Sequence, residues 1–121
     1  MYEVIMAMIL AIAAETGLPP NFVLAIAKAE DEALTVSLIN RQVSDWNQRE
    51  SYTRTSIEHI GWIVNHRRIT TYWHAAVVYS AGIDRLRDPP ASALRYADRV
   101  MALWHELEGV RYLNPVIGGK R

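Results

Sequence analysis

The chain has no cysteine, so neither a disulfide framework nor a thiolate metal site is available to it. It also lacks a charge of one sign. Lys and Arg number 13, as do Asp and Glu, which leaves no bulk field to draw the protein to nucleic acid or to an anionic membrane. Long hydrophobic runs are missing too: the most apolar stretch, Met1 to Ala14, is too short to span a bilayer as a helix. Glu3 stands where a secretory leader would carry basic residues, so this stretch reads as a folded first helix. The four histidines form no HExxH-type cluster. His59 and His66 are seven apart and share a helix face, but two ligands do not make a zinc site. No metal and no cofactor is called for.

What is present is 121 residues, half of them hydrophobic, enough for one domain with its own core. The spacing predicts an all-α architecture of about five helices with short connections, and no convincing strand pattern or repeat. Helix 1 is expected from Tyr2 to Thr16, stopped by Gly17, with Val4, Met8, Ala11 and Ile12 as its stripe and Ile5 and Ile9 beside it. The pair Pro19-Pro20 opens a second helix that runs to Glu30. From Thr35 to Thr55 the chain turns polar. Val36, Ile39, Val43 and Trp46 keep helical spacing, yet the Asn, Ser and Asp content suits turns equally, so helix is expected only in the first half. A further helix spans Ser56 to Arg68, with Ile57, Ile60 and Val64 inward and Gly61 offering a close approach. Another runs from Thr71 to Gly82, and the last from Ala91 to Glu108 after Pro89-Pro90. Residues 1–112 form the domain, and residues 113–121 are expected to be a flexible tail.

Within helix 2 one residue is out of character. At about 100° per residue, Glu30 falls in the middle of the apolar stripe formed by Val23, Ile26 and Ala27, with Ala33 and Leu34 beyond it. A carboxylate there either snorkels to solvent and pairs with a cation, or is kept protonated by burial, which is how a general acid is made.

The segment Leu18-Pro19-Pro20 to Ala25-Ile26-Ala27-Lys28-Ala29-Glu30-Asp31 resembles that of the soluble lytic transglycosylases, relatives of lysozyme, where a helix after "glpp" ends in "AIaxxES". Ala75 to Gly82 (AAVVYSAG) is similar to the family's "ALaaYNAG", and Pro89-Pro90 with Tyr96 to Val100 to its "P..T..YvxrV". Ser56 to Ile63 is similar to its "NI..gxxyL" helix. The blocks follow one another in the family's order and cover nearly the whole chain. The middle departs from it: around Ser44-Asp45-Trp46-Asn47-Gln48 the glycine of "GLxQ" is absent, and Ser80 replaces the Asn of "YNAG".

The resemblance implies a lysozyme-like helical domain that cleaves the β-1,4 bond between N-acetylmuramic acid and N-acetylglucosamine in peptidoglycan, leaving a 1,6-anhydro end. Glu30 would be its acid and base, with Gln48, Tyr79, Ser80, Tyr96 and Asp45 contacting substrate. Tyr79 and Tyr96 read equally as core tyrosines, Gln48 as a solvated polar residue, and Trp46, Trp62 and Trp73 as packing. The expected partner is a peptidoglycan glycan strand, without nucleic acid or an integral membrane segment. The place of action would be the cell envelope, reached by an export signal removed from the chain. The alternatives are a non-catalytic descendant that binds glycan or scaffolds a cell-wall or secretion assembly, and a plain helical interaction module.

Overall fold

The computed structural model describes residues 2–30, 46–110 and 113–118. Among them are five α-helices: α1 (Tyr2–Glu15), α2 (Pro20–Glu30), α3 (Trp46–Asn65), α4 (Tyr72–Ala81) and α5 (Ala91–Glu108). A single 3-10 turn, Ile83–Arg85, follows α4. The described residues form no strand, and the all-α class expected from the spacing is what the chain adopts.

Helix α2 is the centre of the packing. Phe22, Val23, Leu24, Ala25, Ile26 and Ala27 are all buried in succession, so this helix is enclosed around its whole circumference. It packs most extensively on α5 and next on α1, while α4 lies against α5 and α3 against α4. Pro19 serves as its N-cap: the Pro19 carbonyl accepts from the Val23 N–H at 3.3 Å, and Pro20 occupies the first helical position, where no N–H is required. Phe22 meets Tyr72 and Trp104 at ring-centroid distances of 5.0 and 5.1 Å, and those two rings lie 5.2 Å apart edge to face. Three helices thus share one aromatic knot.

Helix α1 is rotated from its expected phase. Ile5, Ile9, Ile12 and Ala13 are the buried residues, whereas Val4 is 53% exposed and Ala11 faces solvent. A helix that is apolar on nearly every side has no polar face to fix its rotation, so one residue of phase is lost. Helix α3 differs more. It begins at Trp46, ten residues before the expected start, and its first half buries Thr53 at 2% exposure beside Ser56 at 3%. The expected helix in residues 35–45 lies outside the described residues. Gly61 does not mediate a tight approach, since a Cβ built there would stand 3.9 Å from the nearest atom, a Leu18 methyl.

The last two helices fall where the spacing placed them. Thr71 caps α4, its hydroxyl accepting from the His74 N–H at 3.1 Å, and Gly82 follows with φ +91°. Helix α5 spans Ala91–Glu108, and Gly109 closes it in the left-handed conformation. Residues 113–118, expected to fray, are instead docked on the start of α4. The Tyr72 N–H donates to the Pro115 carbonyl at 2.8 Å and the Ile117 N–H to the Thr70 carbonyl at 2.9 Å, with Thr71 and Val116 forming an antiparallel bridge. Ile117 is buried, and its side chain supplies the anchor.

Candidate functional site

Glu30 is the last residue of α2, where the helix emerges from the core. The apolar stripe beneath it is as the spacing implied: Val23, Ile26 and Ala27 are buried. Glu30 itself is exposed, which selects, of the two readings of the stripe, the carboxylate that reaches solvent over the one kept protonated by burial. Beyond the enclosed segment Lys28 and Ala29 are half-buried, and Glu30 is exposed.

Two tyrosines come to Glu30 from distant parts of the chain. Tyr79 lies near the end of α4 and Tyr96 in the second turn of α5, both partly buried. Burial drives the Tyr79 phenol up to about 12, the nearby Glu30 charge adds to the rise, and the buried Ser56 hydroxyl of α3 acts against it. The Tyr96 phenol is raised further, first by burial, then by the Glu30 charge and by Tyr79. Its hydroxyl is enclosed and completes no well-formed hydrogen bond among the described residues. The Glu30 carboxylate nevertheless stands near enough to act on it as an acceptor. Carboxylate, two protonated phenols and a serine hydroxyl therefore meet where α2, α3, α4 and α5 converge. The Tyr96 and Ser56 hydroxyls are closed off from solvent and act on their neighbours, while the exposed Glu30 carboxylate is the group of the set open to a bound oxygen.

The other expected positions are more dispersed. Ser80 is exposed at the end of α4, beside Tyr79 in sequence. Gln48 is exposed on α3, eight residues before Ser56 and so about 12 Å from it along the axis. Asp45 lies outside the described residues. Trp73 packs as expected, its indole N–H donating to Asp98 at 2.9 Å. Trp62 does not pack: it is 53% exposed on α3. The Trp46 side chain is outside the description.

Sequence reasoning missed Ser56 and His59. The His59 ring lies 6.1 Å from the Tyr79 ring, next to the group around Glu30. The available signal was helical: Ser56 and His59 are three apart, facing the same neighbour. Among the described residues no three His, Asp or Glu side chains gather as metal ligands, and no helix is long and apolar enough to cross a membrane. No protein-family model matches the chain, and searches of curated proteins and of solved structures also return no match.

Proposed function

We propose that this chain is a peptidoglycan lytic transglycosylase domain with Glu30 as general acid and base. One observation carries the reading: Tyr79 and Tyr96 both lie within the electrostatic reach of Glu30. The three residues come from three separate sequence blocks, each similar to a block of the transglycosylase family, and an accidental resemblance gives no reason for them to meet.

In the proposed reaction a bound glycan shields the Glu30 carboxyl from solvent and so favours its protonated form, and that carboxyl gives its proton to the glycosidic oxygen as the C1–O bond of N-acetylmuramic acid breaks. The N-acetylglucosamine part leaves with a free 4-hydroxyl. Glu30, now a carboxylate, removes the proton of the muramic acid C6 hydroxyl while that oxygen bonds to C1 and closes the 1,6-anhydro ring. Glu30 ends protonated as it began, and no water is consumed. One carboxyl group suffices, unlike the pair used by most glycosidases. Tyr79 and Tyr96, kept protonated by burial, remain donors throughout; the enclosed Tyr96 hydroxyl serves the carboxylate, and Tyr79 the carboxylate or the sugar. The lysozyme-like fold and work at the cell envelope belong to the same proposal.

A glycan-binding or scaffolding domain without turnover is a second reading. It is favoured by Ser80, exposed where the family motif has Asn. Digestion of purified sacculi by the wild type and Glu30→Gln, with mass spectrometry of the released muropeptides, separates the two. Anhydro-muropeptides from the wild type, reduced by about 10²–10⁴-fold in Glu30→Gln, support turnover. Retention on sacculi without products supports the second reading.

A further inference from the structure

An uncharged line of side chains runs down one face of α3. With about 100° per residue, Gln48, Tyr52, Thr55, His59 and Trp62 all fall within about 40° of a common line, and His66 follows just past the end of the helix. No Lys, Arg, Asp or Glu of the helix shares that band. Gln48, Thr55, His59 and Trp62 are exposed, and Tyr52 and His66 are half-buried. From Gln48 to Trp62 the line is about 21 Å long.

Its far half is a row of rings. His59 and Trp62 are stacked, with centroids 6.1 Å apart and planes at 10°. Trp62 meets His66 edge-on at 5.5 Å. His59 also meets Tyr79 at 6.1 Å, and Tyr79 feels the Glu30 charge. The row is therefore continuous with the site around Glu30. Trp62 is held by an imidazole on each side yet remains 53% exposed, and it is the only aromatic among the strongly exposed large hydrophobic residues described. An indole already in contact with two rings has fewer orientations to lose when something stacks on it.

We propose that this face of α3 is a saccharide-binding track, with Trp62 as the surface on which one pyranose ring of the glycan stacks. The occupant is a neutral polyhydroxylated chain. Its apolar C–H face suits an indole; its hydroxyl and acetamido groups suit the His59 imidazole and the acceptor side of the Thr55 hydroxyl, whose proton goes to the Ser51 carbonyl at 3.0 Å. An acidic partner would find no cation in the band and a basic one no carboxylate. The proposal rests on the glycan-cleaving reading and extends it to substrate positioning beyond Glu30.

The test is titration calorimetry with a soluble β-1,4-linked tetramer of N-acetylglucosamine, run beside retention on sacculi and release of muropeptides. The proteins are wild type, Trp62→Ala and Trp62→Phe. Expected are a Kd about tenfold weaker in Trp62→Ala, recovery of most of that loss in Trp62→Phe, and unchanged thermal unfolding of both. Equal binding of tetramer and sacculi by wild type and Trp62→Ala overturns the track. If the wild type still releases anhydro-muropeptides, the glycan-cleaving reading stands without it. A wild type that neither binds glycan nor releases product removes both. Sedimentation adds one further overturning result: a dimer of wild type that Trp62→Ala abolishes would make this face a contact between copies.

Discussion

Tyr96, in the second turn of α5, keeps its enclosed hydroxyl close to the carboxylate of Glu30, 66 positions earlier at the end of α2. Burial and the Glu30 charge both favour its protonated form, so at neutral pH the pair is a phenol donor beside a potential acceptor. Tyr96→Phe deletes the donor and little else. Because the hydroxyl forms no well-made bond, its loss leaves the unfolding midpoint within about 0.5 kcal/mol of wild type. Release of muropeptides is expected to fall about tenfold, because the phenol is proposed to donate to Glu30 once bound substrate tightens that contact. An unchanged rate would return Tyr96 to the role of a core residue.

Alkaline pH probes the same pair of tyrosines. Folding holds the Tyr79 phenol up to about 12, above the ordinary value near 10 in an unfolded chain, and Tyr96 is shifted the same way. A raised pKa means that the folded state keeps a proton that the unfolded state gives up. The stabilisation is complete below pH 10 and declines as pH rises through 12. For Tyr79 the loss is on the order of 2 kcal/mol. Urea unfolding at pH 8 and pH 11.5 measures it, and the Tyr79→Phe/Tyr96→Phe double variant is expected to show a shallower decline.

The tail makes a sharper mechanical prediction. Ile117 is 6% exposed, and the strand-like pairing around it ties residues 115–117 to the residues that open α4. Ile117→Ala is expected to cost about 2–4 kcal/mol in urea unfolding. A cost below about 0.5 kcal/mol would mean that the segment contributes no anchor.

Gly61 offers the opposite sign. It lies inside α3, with only a Leu18 methyl at 3.9 Å from the position a Cβ would take, an ordinary van der Waals distance. Gly61→Ala therefore adds a contact without a clash and removes the helix penalty of glycine. A gain of about 0.5–1 kcal/mol is expected by thermal or urea unfolding. A loss would show that the helices pass more closely there than the distance implies.

Phe22 tests the aromatic knot. It is fully buried and touches Tyr72 of α4 and Trp104 of α5. Phe22→Ala opens a cavity shared by three helices and is expected to cost about 3–5 kcal/mol, measured by urea unfolding.

How well each element could be read from sequence followed the chemistry of its buried positions. The bounds of helix α5 were legible from Pro89-Pro90 and the residues up to Glu108. Of the stripe that spacing gives, Tyr96, Val100, Leu103 and Leu107, only Val100 and Leu103 are buried, and Ala93 and Ala97 share the core with them. The start of helix α3 was not legible: its first half buries Thr53, and Ser56 follows one turn later. Hydroxyl side chains in the core leave no apolar period to detect, and Asn47, Ser51 and Thr55 on its exposed side read as turn formers. The rotation of α1 was hidden for the converse reason, an excess of apolar residues. At the site, the stripe leading to Glu30 was visible, but spacing alone left open whether its carboxylate reaches solvent or is buried, and the structure has it exposed. That depends on where the helix leaves the core, a tertiary fact with no local signature. The approach of Tyr79 and Tyr96 was suggested by resemblance and not by spacing. Trp62 was read as packing because most tryptophans at helical spacing do pack.

Six consecutive residues of α2 present no side chain to solvent. A helix of that kind cannot be laid on a half-built surface. Until α1 covers one flank and α5 the other, Phe22 to Ala27 exposes an oily rod, and α5 is the last of the described helices. Synthesis must therefore run through α5 before that centre can close. No cut between α2 and α5 would leave either fragment able to hide that rod alone.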